Sequence, residues 1–152
     1  MAYASKEARQ DLLDTIADAI DEVAVALAAL GAAYEQLDER SADELEEQLF
    51  RPVQVAYGRA RRTHSEFAGR HGLPNRSFAP APPGHPSQGV KGFIDAAVAA
   101  VGRADARLSQ LQDSMRPVEV GDAELRAGLS EVRRQIAEVP RRASELVRGL
   151  GR

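Results

Sequence analysis

His64 and His71, with Tyr57 before them and Phe78 beyond, are the side chains of this chain best suited to chemistry. An imidazole can ligate a metal, carry a phosphoryl group or move a proton near neutral pH. A metal needs three or more ligands converging on one point. On a helix, residues seven apart stand about 10.5 Å apart along the axis, so His64 and His71 cannot share one ion. The chain contains no cysteine, which excludes a thiolate nucleophile, a disulfide framework and any cysteine-based zinc or iron–sulfur site. No Ser–His–Asp order, Gly-x-Ser-x-Gly elbow, phosphate-cradling glycine loop or dinucleotide fingerprint is present. The expectation is a protein that is not an enzyme and holds neither metal nor cofactor.

His64-Ser65-Glu66-Phe67-Ala68-Gly69 has a loose likeness, over six residues, to the histidine phosphotransfer motif, without the basic residue that usually follows the histidine. That chemistry requires His64 to stand exposed in midhelix. In the competing reading, Phe50, Tyr57, His64 and His71 form a heptad-spaced column at the edge of a buried seam, and His71 sits in a last turn, favouring the helix dipole. His85, beside Pro86, reads as solvated.

The elements that would position these residues are helices. Positions 13, 16, 20, 23, 27, 30, 34 and 37 carry Leu, Ile, Ile, Val, Leu, Leu, Tyr and Leu, an unbroken alternation of three- and four-residue steps. The same alternation runs through Leu49, Val53, Ala56, Ala60, Thr63 and Phe67, then from Val90 to Met115, then from Leu125 to Leu150. These seams predict helices over about 6–38, 42–71, 88–115 and 123–149. Ser41-Ala42-Asp43-Glu44 reads as a capping box, with Ser87 and Asp122 as further N-caps. Pro52 should kink the second helix and leave the carbonyl of residue 48 without its donor; Pro140 is a second kink candidate. Between helices, residues 73–86 hold five prolines and favour an extended strap, with Phe78 as its anchor.

The predicted fold class is all-α: one domain over residues 1–152, an up-down-up-down four-helix bundle of two antiparallel hairpins joined by the Pro-rich connection. With 43% apolar residues but 5% aromatic ones and no Trp, its core must be Ala, Val, Leu and Ile. Residues 1–50 hold three basic and thirteen acidic side chains, and residues 51–80 six basic and one acidic. A hairpin turning near residue 39 would set Arg59, Arg61 and Arg62 beside Asp18, Asp21 and Glu22, and one turning near 118 would set Arg133 and Arg134 near Asp105 and Arg141 and Arg142 near Asp95.

Basic blocks so neutralised, with no aromatic stacking platform, argue against nucleic-acid binding. No apolar stretch is long enough to span a bilayer, and no secretory start is evident. The expected setting is a bacterial cytoplasm, from the Arg- and Ala-rich, Lys-poor composition. The leading functional expectation is a non-enzymatic interaction or scaffold module acting through helix faces. A protein partner or a homodimer would form on the wide stripe Leu12, Ala19, Ala26 and Ala33, or by hairpin exchange across the strap. The alternative is a carrier or sensor of a small apolar ligand between helices opened at Pro52 and Pro140.

Overall fold

The computed structural model describes residues 2–150, with side chains from Ser5 onward except that of Pro86. Among them every regular element is helical: α1 (Ala2–Glu35), α2 (Glu39–Leu45), a π-helical turn (Glu46–Phe50), α3 (Arg51–Arg70), a 3₁₀ turn (Pro86–Gln88), α4 (Gly89–Asp113), α5 (Arg116–Glu119), α6 (Ala123–Ile136) and α7 (Val139–Leu150). No helix is long and apolar enough to cross a membrane.

The apolar steps become the core. Leu13, Ile16, Ile20, Val23 and Leu30 of α1, Leu49 of the π turn, Val53 and Phe67 of α3, Ile94 and Val101 of α4, and Leu125, Leu129, Val132 and Ile136 of α6 are all buried. Each fully buried Leu, Ile or Phe stabilises the fold by about 1.5–3 kcal/mol. Tyr34, expected on the same seam, is exposed, because a straight helix drifts away from a strict heptad and Ala33 takes the inward position.

Local chemistry sets the ends. The capping box at Ser41 does not form; Asp38, three residues earlier in extended conformation, caps α2 by accepting from the Ser41 amide at 2.8 Å. A carboxylate there also meets the positive end of the helix dipole. Ser87 is likewise not an N-cap: its hydroxyl lies 2.7 Å from His85 Nδ1, and α4 opens through Gln88 and Gly89 without a side-chain cap. Asp122 does cap α6, accepting from the Leu125 amide at 2.8 Å. At the end of α3, Gly72 takes φ 65°, and Leu73 N–H reaches back to the Ala68 carbonyl at 2.8 Å, the arrangement that closes a helix through a left-handed glycine.

The two internal prolines are absorbed differently. Pro52 follows the π turn, which inserts one residue so that α2, the turn and α3 run on as one rod. The Gln48 carbonyl, deprived of its donor by Pro52, accepts instead from Arg142 Nη1 at 3.5 Å. Pro140 sits in the first turn of α7, after a break at residues 137–138.

The order of the rods differs from the alternating one. Glu22 pairs with Arg103 at 2.7 Å and Asp18 approaches Arg107 at 3.9 Å, so α1 runs antiparallel to α4, its most extensive contact. Arg70 with Asp122, and Gln48 with Arg142, set α3 antiparallel to α6 and α7. Arg133 with Asp105, at 2.9 Å, sets α6 antiparallel to α4, as the sequence register expected. Thus the first rod and α6–α7 run one way, α2–α3 and α4 the other: up-down-down-up, with every packed neighbour antiparallel. Because α3 and α4 run the same way, the strap must travel the length of the molecule. At about 3.1 Å per extended residue, residues 72–85 cover about 43 Å, against about 38 Å for the 25 residues of α4. A corner connection would not need that length.

Two further expectations change with this topology. The acidic block of α1 pairs with Arg76, Arg103 and Arg107 rather than with Arg59, Arg61 and Arg62. Arg141 turns to Glu138 and Glu145 on its own helix instead of to Asp95, which Lys91 holds. The stripe Leu12, Ala19, Ala26 and Ala33 is buried within the single chain and offers no face to a second one.

Candidate functional site

The strap lies along α1 and covers the aromatic column of α3. His64 is buried, 3% exposed, and Phe78 of the strap meets its ring edge-on at 5.2 Å between centroids. Arg76 fastens the strap: it donates to Asp21 on α1 at 2.9 Å while its guanidinium lies 5.0 Å from the centre of the Phe78 ring. About two turns from the start of the column, Tyr57 and Pro80 line a crevice of about 240 Å³ with Ala24, Leu27 and Ala28. Arg61 lies over the outer face of Tyr57 at 4.7 Å. Burial pushes the His64 imidazole below its ordinary pKa; the nearby Arg76 adds to the shift and Asp14 opposes it. A neutral, covered ring of this kind presents no nitrogen to a phosphoryl donor, so the exposed midhelix histidine that phosphotransfer requires is not the arrangement found.

His71 goes elsewhere. Its ring tilts against Phe67, 4.4 Å between centroids, and its Nε2 lies 3.0 Å from Asp122 Oδ2. Asp122 also accepts from Arg70 Nε at 2.8 Å and Nη2 at 2.9 Å. The Arg70 guanidinium, the Leu125 amide and His71 together hold its carboxyl well below the usual carboxylate range, against an opposing push from partial burial. The end of α3 and the start of α6 are thereby clamped, cation to capped carboxylate, which satisfies both helix termini at once. His64 and His71 therefore serve different contacts, and Phe78 joins only the first. Among the described residues no three His, Cys, Asp or Glu side chains are placed to hold a metal ion.

Among the described residues the buried polar side chains are Thr63 and His64, neighbours in sequence that meet different elements, α6 and the strap. Thr63 packs on Gly128 of α6, where a Cβ would strike its hydroxyl, so this glycine permits the close approach of the two helices. Thr63 Oγ1 and His64 Nδ1 have no hydrogen-bonding protein partner.

Chain comparisons name no relative: no family model, curated protein or solved structure matches. The assignment rests on geometry alone.

On the outer side of the α3–α6 contact lies a groove of about 900 Å³, floored by Gly58 and Ala127 and rimmed by Arg59, Arg62 and Arg134, with Val55 at one end. Arg62 only approaches Glu66, at 3.9 Å, and Arg134 holds Glu131. Arg59 has no carboxylate within reach, among the described residues. Sequence reasoning missed this groove because it assigned Arg59 and Arg62 to the acids of α1 and Arg134 to Asp105. The signal was present in the small residues Gly58 and Ala127, which leave room beside long cations. Arg142 crosses beside Pro52, and the cleft beside Pro140, about 330 Å³, is lined by Ile94, Val98 and Val147 together with Lys91, Asp95 and Arg148.

Proposed function

We propose that this protein is a non-enzymatic helical module that binds another protein through an exposed helix face. The observation that carries this reading is where the titratable groups are spent. His64 is sealed under the strap, His71 and Asp122 are tied into a helix junction, and Asp18, Asp21 and Glu22 of α1 are paired with Arg107, Arg76 and Arg103. Among the described residues no nucleophile, base and orienting group converge on a space where a reacting atom could sit. Charge on the outer surface of α2 and α3 is among what stays uncommitted.

Native mass spectrometry of the purified protein, followed by a denaturing run of the same sample, tests the reading. Masses of one or more bare chains support it. Excess mass that disappears on denaturation identifies a bound small molecule and replaces it with a carrier role.

A further inference from the structure

The exposed face of the α2–α3 rod changes sign along its length. Glu44, Glu47, Arg51, Val55, Gly58 and Arg62 follow at steps of three or four residues, and all are exposed. The first two are acidic, the far end is the arginine-rimmed groove, and Val55, 47% exposed, lies midway between Glu47 and Arg62. None of Glu39, Glu44, Glu46 and Glu47 has a cation within ion-pair distance, and Arg59 has no anion, among the described residues. The acids and bases expected to neutralise one another inside the chain instead remain unpaired on one surface. A linear face that is acidic at one end and basic at the other, with Arg51 and Val55 between, is complementary to itself when a second copy lies antiparallel against it.

We propose that two copies of this chain pair antiparallel along the α2–α3 face, with Glu44 and Glu47 of each seated in the Arg59, Arg62 and Arg134 groove of the other. The two-fold axis then passes between Arg51 and Val55, setting Glu44 against Arg62, Glu47 against Arg59 and each Val55 beside Arg51 of the other copy. The rotation closes at two chains, because each copy uses its acidic end and its groove once. This inference rests on the interaction reading and names its partner.

The chain has no cysteine, so a thiol placed beside the axis reports on the pairing without background. Val55→Cys should oxidise to a disulfide-linked dimer at least tenfold faster than Met115→Cys, a more exposed thiol outside the face. Salt at 1 M screens charges beyond about 3 Å and should slow that cross-link about tenfold. Arg59→Glu/Arg62→Glu in the Val55→Cys background should do the same, and adding Glu44→Arg/Glu47→Arg should restore the rate, which a misfolded variant could not do.

Equal rates at residues 55 and 115, or a Val55→Cys dimer indifferent to the charge reversals, overturn the proposal. Retardation of a DNA duplex that is lost in Arg59→Glu also overturns it, by assigning the groove to phosphate. A bare, strictly monomeric chain in native mass spectrometry defeats the pairing alone, whereas a co-purified small molecule defeats the interaction reading beneath it.

Discussion

Along α1 and α4, Ala19, Ala26 and Ala33 are buried on one rod and Ala97, Ala100 and Ala104 on the other, and the charged partners sit outside at Glu22–Arg103 and Asp18–Arg107. Along α3 and α6 the helices approach through a single glycine, bury Thr63 against it, and are locked at one end by Arg70, His71 and Asp122. The first contact is uniform and tolerant, since many small residues share it. The second depends on a few positions, each with a different physical cause. Function, where a protein must present a defined surface, is better served by the second kind, and the groove lies on that side.

The sharpest way to separate the two is by glycine. Gly128→Ala drives a methyl into Thr63 and should destabilise the protein by about 1–3 kcal/mol, read as a lower urea midpoint at unchanged slope. Gly102→Ala on α4, where an added Cβ meets nothing within 4 Å, should stabilise it by about 0.5–1 kcal/mol. If both changes have the same sign, the contrast between the contacts fails.

Next in size is the clamp. Asp122→Ala removes an N-cap and the anion that orders Arg70, at a cost of about 1–2 kcal/mol in chemical denaturation. Because the folded carboxyl titrates below its unfolded value of 3.8, its contribution is complete above that value and fades as pH falls below it. The loss of stability on acidification below pH 3.8 should therefore be shallower in Asp122→Ala.

His64 gives a smaller effect at higher pH. Its folded pKa lies below the free value of 6.5, so the unfolded chain takes the proton first and stability declines as pH drops through 6.5. His64→Gln should flatten that limb while leaving the acid limb of Asp122 intact. Smallest is Arg142→Met, which leaves the Gln48 carbonyl without its long bond and should cost about 0.5–1.5 kcal/mol.

Much of this was legible in the residues. Apolar spacing places four helical rods and names most of the core, since burial of one stripe is what makes such rods stable. Both prolines were recognisable as faults, and the orphaned Gln48 carbonyl follows from Pro52 alone. The way each fault is mended was not, because the π turn and Arg142 depend on what lies across the molecule. Rod order was misread for a related reason: a row of acids matches any antiparallel row of arginines, and α1 has two such neighbours. The strap's length was the decisive clue, since an extended segment long enough to match α4 is not needed to turn a corner. Of the aromatic column, the spacing shows that Tyr57, His64 and His71 share a face; it does not show that the strap divides them between separate tasks.

The climb of the strap along α1 also shapes how the chain must assemble. Glu22 and Arg103 meet across 81 intervening steps of sequence, and the contact they border is the largest in the molecule. A helical protein usually folds fast because its contacts are local, yet here the principal one waits on closing a long loop. Synthesis from the N-terminus leaves α1 with its alanine face bare until α4 has emerged. The order in which the ribosome delivers the rods is then also the order in which apolar surface is at risk.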